Sequence, residues 1–278
     1  MMNGGRHRNS KFTIRNSTFA RCARALGIAL FLLHPPAVAR AATIRRIFEP
    51  TDLEFERPGT TELDMEFGLV RGQDAYRVSM PDFELDLGLA QNVELDLDGE
   101  FALGGPDDGE FRIDQLAQDN LWSALKLGLA TWETKEADWR WALGAQIGPV
   151  WPLAPGAQGV GVEGIGLFGL QMGQSYFVLN TGALLQPSDQ PGQPRAEGFV
   201  GGLDMEIALD RDGVWALTGE LAGAAYWSPD EPQITTTLGI QWSPLGNLEL
   251  SVTGLRGWLA GGDQWGILLG VAPKFRLW

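Results

Sequence analysis

Between residues 81 and 103 the chain places a carboxylate at nearly every second position. FELDLGL sets Glu84 and Asp86 opposite Phe83, Leu85 and Leu87, and VELDLDG sets Glu94, Asp96 and Asp98 opposite Val93, Leu95 and Leu97. Side chains of a strand alternate between its two faces, so one face of this hairpin is acidic and the other aliphatic. ELDMEF upstream repeats the arrangement, with Glu62, Asp64 and Glu66 opposite Leu63, Met65 and Phe67. A face that acidic cannot pack into a dry core, because unpaired buried charges are too costly. It can line a wet interior while the leucines face something apolar.

The same alternation runs to the end of the chain. Segments near 59–71, 81–90, 93–103, 119–132, 138–150, 159–171, 175–186, 196–209, 214–227, 233–242, 247–259 and 264–275 read as strands. Twelve is an even number, as a closed antiparallel barrel requires. Their connections alternate in character. Gln91-Asn92, the turn from Glu133 to Ala137, Met172-Gly173-Gln174, Asp210 to Gly213 and Ser243 to Gly246 are short. Between them fall longer ones at 72–80, 104–118, 151–158, 187–195, 228–232 and 260–263. One tight end and one loopy end matches periplasmic turns and extracellular loops, whereas a soluble sandwich has no reason to sort its turns by parity. No run reaches 18 apolar residues. The predicted fold is all-β: a transmembrane antiparallel up-and-down barrel of about twelve strands spanning 59–278.

In phase with the acidic hairpin, the predicted interior also takes Lys126, Arg140, Gln146, Glu163, Asp204, Glu206, Glu220, Gln241, Glu249, Ser251 and Thr253. Many remaining inward positions are Gly or Ala. Ten tryptophans fall near strand ends: Trp122, Trp151, Trp227, Trp258 and Trp265 at the loop ends, and Trp132, Trp139, Trp141, Trp215 and Trp242 at the turn ends. Indole rings favour the headgroup level, so these residues are expected to form two membrane-interface girdles in contact with outer-membrane lipid.

Residues 1–41 read as a cleaved signal peptide. A basic leader (Arg6, Arg8, Lys11, Arg15, Arg21, Arg24) precedes the apolar core Ala25–Leu33, and Ala39-Arg40-Ala41 offers the cleavage site. That implies export by the general secretion route to the cell outer membrane, with residues 42–58 as a periplasmic N-terminal segment. Removing the leader takes Cys22, His7, His34 and seven of the 21 basic residues, leaving 14 Lys+Arg against 35 Asp+Glu, a net charge of −21. The mature chain thus has no thiol or imidazole for nucleophilic or metal chemistry, and its charge argues against nucleic acid. No cofactor, catalytic set or metal site emerges. Asp107, Asp108, Glu110 and Asp114 supply oxygen ligands in the 104–118 loop, but their spacing is not that of an EF-hand.

PTDLEF, PGTTELDMEFGL, PDFELDLGLAQNVELDLDGEF and LWSALKLGLATWE resemble the outer-membrane transporter-like proteins named for the MetA pathway of phenol degradation. The matching pieces are Leu87-Gly88-Leu89, Asn92-Val93-Glu94-Leu95 and Lys126-Leu127-Gly128-Leu129, and the resemblance covers residues 50–275. It implies a barrel, inserted by the barrel-assembly machinery, that passes small molecules, aromatic ones among them. It carries no catalytic residue. At the C-terminus, Phe275, Pro273, Val271, Leu269, Ile267 and Trp265 form the outward series, with Arg276-Leu277-Trp278 as an extension.

Three functions are compatible with this reading. The first is a solute channel or transporter whose acids favour cations. The second is a non-transporting structural or adhesion barrel closed by pairs such as Lys126 or Arg140 with neighbouring acids. The third, an outer-membrane hydrolase, lacks the histidine that usually serves as base.

Overall fold

The computed structural model describes residues 55–73, 75–105, 116–133, 139–173, 175–211, 213–228 and 231–278. The leader, its cleavage point, most of the 104–118 loop and the turn after Glu133 lie outside them.

Thirteen strands form one sheet that closes on itself: β1 (Thr60–Arg71), β2 (Tyr76–Ala90), β3 (Val93–Gly105), β4 (Leu116–Gln118), β5 (Leu121–Glu133), β6 (Trp139–Trp151), β7 (Gly161–Met172), β8 (Ser175–Leu185), β9 (Glu197–Ala208), β10 (Trp215–Ser228), β11 (Gln233–Leu245), β12 (Leu248–Gly257) and β13 (Trp265–Arg276). Apart from β4 and β5, strands that follow one another in sequence pair antiparallel, and β1 pairs with β13 to close the cylinder. Both β4 and β5 bond to β3, at Leu103↔Leu116 and Leu95↔Leu125 respectively, so together they make one stave interrupted at Asp119-Asn120. The result is a closed antiparallel barrel of twelve staves. Closure gives every strand except the short β4 a partner on both sides, the condition for crossing lipid with β-structure. Among the described residues no helix is long and apolar enough to cross a membrane.

Turn chemistry fixes the tight end. Asn92 holds φ at 61°, the left-handed conformation that a two-residue hairpin turn requires and that asparagine tolerates. Gly246-Asn247 makes a similarly short link between β11 and β12. The main departure from expectation is β2, which begins at Tyr76, so the connection expected at 72–80 shrinks to residues 72–75. The cause is a shift in pairing register. Gly68 pairs with Ser79 and Arg71 with Tyr76, while Glu66 pairs with Asp82, so an irregularity near Met80-Pro81 hides the continuing strand from a strict two-residue pattern.

The barrel is inside-out relative to a soluble β-protein. Outward residues such as Ile147, Phe199, Leu238 and Leu269 are 55–58% exposed, while inward Glu94, Asp96, Lys126 and Gln146 are 0–2% exposed. A continuous apolar exterior of this extent is a surface for lipid. In β13, Trp265, Ile267, Leu269 and Phe275 point outward and Leu268, Gly270 and Ala272 inward. Leu277 continues past the strand, its N–H donating to the Gly59 carbonyl at 2.7 Å.

Candidate functional site: the barrel interior

Register turns the alternation of the first strands into a two-dimensional acidic sheet. Glu62 lies beside Asp86, and Asp86 beside Asp96; one row further from the turns, Asp64 lies beside Glu84, and Glu84 beside Asp98. A further row places Glu66 beside Asp82 and Asp82 beside Glu100. Glu94 sits nearest the turn, across from Lys126. Ten carboxylates thus share the inner face of three adjacent strands. Asp82 and Glu100 join this face by the same alternation, in phase with Glu84 and Asp98 and just short of the register shift between Ser79 and Asp82.

Cations hold the two ends of this face. Near the turns, Lys274 Nζ lies 2.6 Å from Glu62 and 2.9 Å from Glu56, and Lys126 Nζ lies 2.9 Å from Glu94. Near the loops, Arg77 reaches Asp263 at 2.7 Å and Glu100 at 3.3 Å, and the Ser79 hydroxyl donates to Glu100. Between these ends, Gln146 Nε2 donates to Asp96 Oδ2 at 2.7 Å. Burial pushes the Asp263 carboxyl above its ordinary value, and Arg77 opposes that rise. Arg77, Asp263 and Lys274 carried no sequence signal, since barrel closure alone brings β2, β13 and the loop before β13 together.

The inner face of β5 to β9 carries an apolar cluster alongside buried Lys126, Gln146, Glu163, Asn180, Asp204 and Glu206. Ala124, Ala142, Val150, Ile165, Leu167, Val178, Leu184 and Val200 form a buried cluster on β5 to β9. Trp122 belongs to it, 9% exposed with its indole N–H donating to the Gly148 carbonyl at 3.3 Å. This corrects its assignment to a membrane girdle: Trp122 shares the face of Ala124 and Lys126 and points inward. Trp132, Trp139, Trp151, Trp215, Trp227, Trp242, Trp258 and Trp265 are exposed on the outside, and Trp141 lies beside Phe168 on the outer wall. Trp215 and Trp242 stack directly across β10 and β11 at 5.5 Å.

Acids elsewhere inside are fewer and partnered. The Tyr176 hydroxyl donates to Glu206 at 3.0 Å, Thr237 to Glu220 at 3.3 Å, and Gln241 to Glu249. Asp204 lies across from Glu220, and Glu163 from Leu184. Arg140 pairs with Glu133 at 2.9 Å at the turn end, partly exposed, where solvent leaves the pair little weight.

Residues 55–58, the last of the expected periplasmic segment, and Gly59 enter the turn end of the barrel. Glu56 is buried, its N–H donates to the Glu94 carboxylate, and Gly59 N–H donates to the Gly88 carbonyl at 2.9 Å. A Cβ at Gly88 would stand 2.3 Å from the Arg57 carbonyl oxygen, so only glycine lets the segment lie this close. Lys126 also stands over the Phe55 ring at 5.5 Å. Burial raises the Glu56 carboxyl above its ordinary value, more than Lys274 lowers it, and nearby Glu62 adds to the rise. A carboxyl with a raised value in the docked state favours docking while protonated and opposes it as pH climbs through that value. Hydrogen exchange at residues 55–60, corrected for intrinsic rate, should therefore show stronger protection near pH 4.5 than near pH 8. Glu56→Gln should flatten that difference; an unchanged difference in the variant would assign it to another group.

No family model matches the sequence, and no curated protein matches it. Among solved structures, the COG4313 outer membrane channel from Pseudomonas putida F1 is similar, with a TM-score of 0.59 at 14% identity over 82% of this chain and all of that one. A structure described as the CymD monoaromatic hydrocarbon channel also aligns, at a TM-score of 0.43 and 7% identity over 80% of this chain and 89% of that one, too distant to support an argument. Closed topology, apolar exterior and the first of these likenesses define the class: this chain has the fold of an outer-membrane β-barrel.

Proposed function

We propose that the protein is an outer-membrane channel for small solutes, with a path bounded by an acidic wall on β1 to β3 and a mixed wall with an apolar cluster on β5 to β9. The observation that carries this reading is the placement of ten carboxylates on one side of a closed barrel's interior. A purely structural barrel has no need for such a concentration of like charge, which destabilises its own fold. Acidic linings attract cations and repel anions at close range. The apolar cluster supports passage of solutes with a hydrophobic or aromatic part, in keeping with the resemblance to the phenol-degradation transporter-like group, and the similar structure from Pseudomonas putida is described as an outer membrane channel. Export with cleavage after Ala41, and insertion by the barrel-assembly machinery, belong to the same reading.

Planar-bilayer recording tests it. The wild type should conduct and show a cation-selective reversal potential across a salt gradient. Replacing Glu94, Asp96 and Asp98 together by Gln, Asn and Asn should move that potential toward zero, by less at 1 M salt, where the Debye length falls to about 3 Å. An open pore whose reversal potential ignores the triple substitution would remove these acids from the path. A barrel that never conducts, with or without residues 55–59, would overturn the channel reading.

A further inference from the structure

Glu84, Asp86 and Asp96 each offer a carboxylate oxygen to one small volume on the acidic wall, with those oxygens all within 4.8 Å of one another. They come from two strands: Asp86 lies directly across from Asp96, and Glu84 is two residues along β2 on the same face. Oxygen ligands of a calcium ion lie about 2.3–2.6 Å from the metal, so pairs of them stand up to roughly 5 Å apart. The spacing fits one ion.

A second observation concerns what these oxygens accept. Asp86 and Asp96 are 1% and 0% exposed, yet Oδ1 of each accepts no hydrogen bond. A buried carboxylate oxygen with no donor is costly, and facing carboxylates cannot donate to one another unless one carries a proton. Asp96 is held in place through its other oxygen, which accepts from Gln146 Nε2, so its carboxylate is not free to turn away. The local cation, Lys126, bonds Glu94 one row nearer the turn, and its charge also acts on Asp86 and Asp96. Three converging hard oxygen donors with two orphaned lone-pair sites call for a hard cation.

We propose that Glu84, Asp86 and Asp96 form a binding site for a divalent cation of the calcium type inside the barrel. The ion bridges β2 to β3 and offsets the crowding of charge on the acidic wall. Carboxylate oxygens favour calcium or magnesium over softer metals, and a site built from flexible carboxylates of two strands suits calcium, which accepts irregular geometry. This site goes beyond the channel reading and is measured without transport, so a failure of conduction does not bear on it.

Terbium luminescence gives the test, with the full barrel purified in detergent and stripped with chelator. Trp122 lies in the row of Glu84 and Asp98, about two strand spacings or roughly 10 Å from Glu84, close enough to sensitise a bound lanthanide. Terbium emission excited through indole should rise saturably, to one ion per barrel, and calcium should displace it. Asp86→Asn and Asp96→Asn should each weaken binding at least tenfold, while Glu220→Gln on another part of the inner wall should not. Trp122→Phe should abolish most of the emission while calorimetry with calcium still reports binding. Absence of saturable binding would overturn the proposal, leaving the carboxylates neutralised by shared protons. Binding indifferent to both aspartate substitutions would overturn it equally. If neither aspartate variant assembles, the Trp122→Phe comparison decides: emission that survives it places the ion elsewhere.

Discussion

Leu269→Arg is expected to cost about 2–4 kcal/mol of barrel stability, the penalty for a cation on the lipid face near the bilayer midplane. Leu269 lies midway along β13, 55% exposed, between Phe67 of β1 and Val252 of β12. All three point outward, so an arginine there has no inward route and must reach several ångströms to a headgroup. One residue along β1 from Phe67, Glu66 faces the interior and is buried. Glu66→Gln should change stability by under about 1 kcal/mol, since removing one of many like charges relieves repulsion while deleting an acceptor. Reversible urea unfolding in detergent or vesicles measures both. Equal costs at the two positions would mean that the lipid and interior faces are exchanged.

Lys126→Met should be nearly as damaging, by about 3 kcal/mol, because it strands the Glu94 carboxylate in the interior without its partner. The pair is 2.9 Å long with side chains 2% and 0% exposed. Glu94 also accepts the N–H of Glu56, so losing Lys126 should loosen residues 55–59 and increase their hydrogen exchange. Adding Glu94→Gln should recover much of the loss, since the uncompensated charge is the source of the penalty. A double-mutant cycle with a coupling near zero would show that water screens this pair and that the interior is wetter than its burial implies.

Much of the architecture is written in period-two alternation. In ELDMEF, FELDLGL and VELDLDG the two faces differ so sharply that a slip of one residue would put carboxylates into lipid, which fixes both the phase and the interior face. The same logic, applied strictly, places Trp122 on the face of Ala124 and Lys126. Its position near a strand end suggested a girdle, but parity determines where a side chain points and strand-end position only how deep it sits. The concealed start of β2 has a different origin. Around Met80-Pro81 the pairing partner, not the local pattern, keeps the chain in the sheet, and a partner on β1, at Gly68 for Ser79 and Glu66 for Asp82, leaves no trace in a two-residue period.

What the sequence determined by itself is everything carried by neighbours along the chain: strands, their faces, the tight turns, and an acidic interior surface opposite an aliphatic exterior. Tertiary structure alone decided which charges meet. Lys274 reaches Glu56 and Glu62 because β13 closes onto β1, and Arg77 reaches Asp263 because the loop before β13 folds over the same end of the barrel. It also decided that Glu84, Asp86 and Asp96 converge, since a difference of one pair in hairpin register would have spread their oxygens along the wall. Alternation is a property of one strand and needs no partner, whereas an ion pair or a ligand set exists only once register and closure have fixed distances between strands.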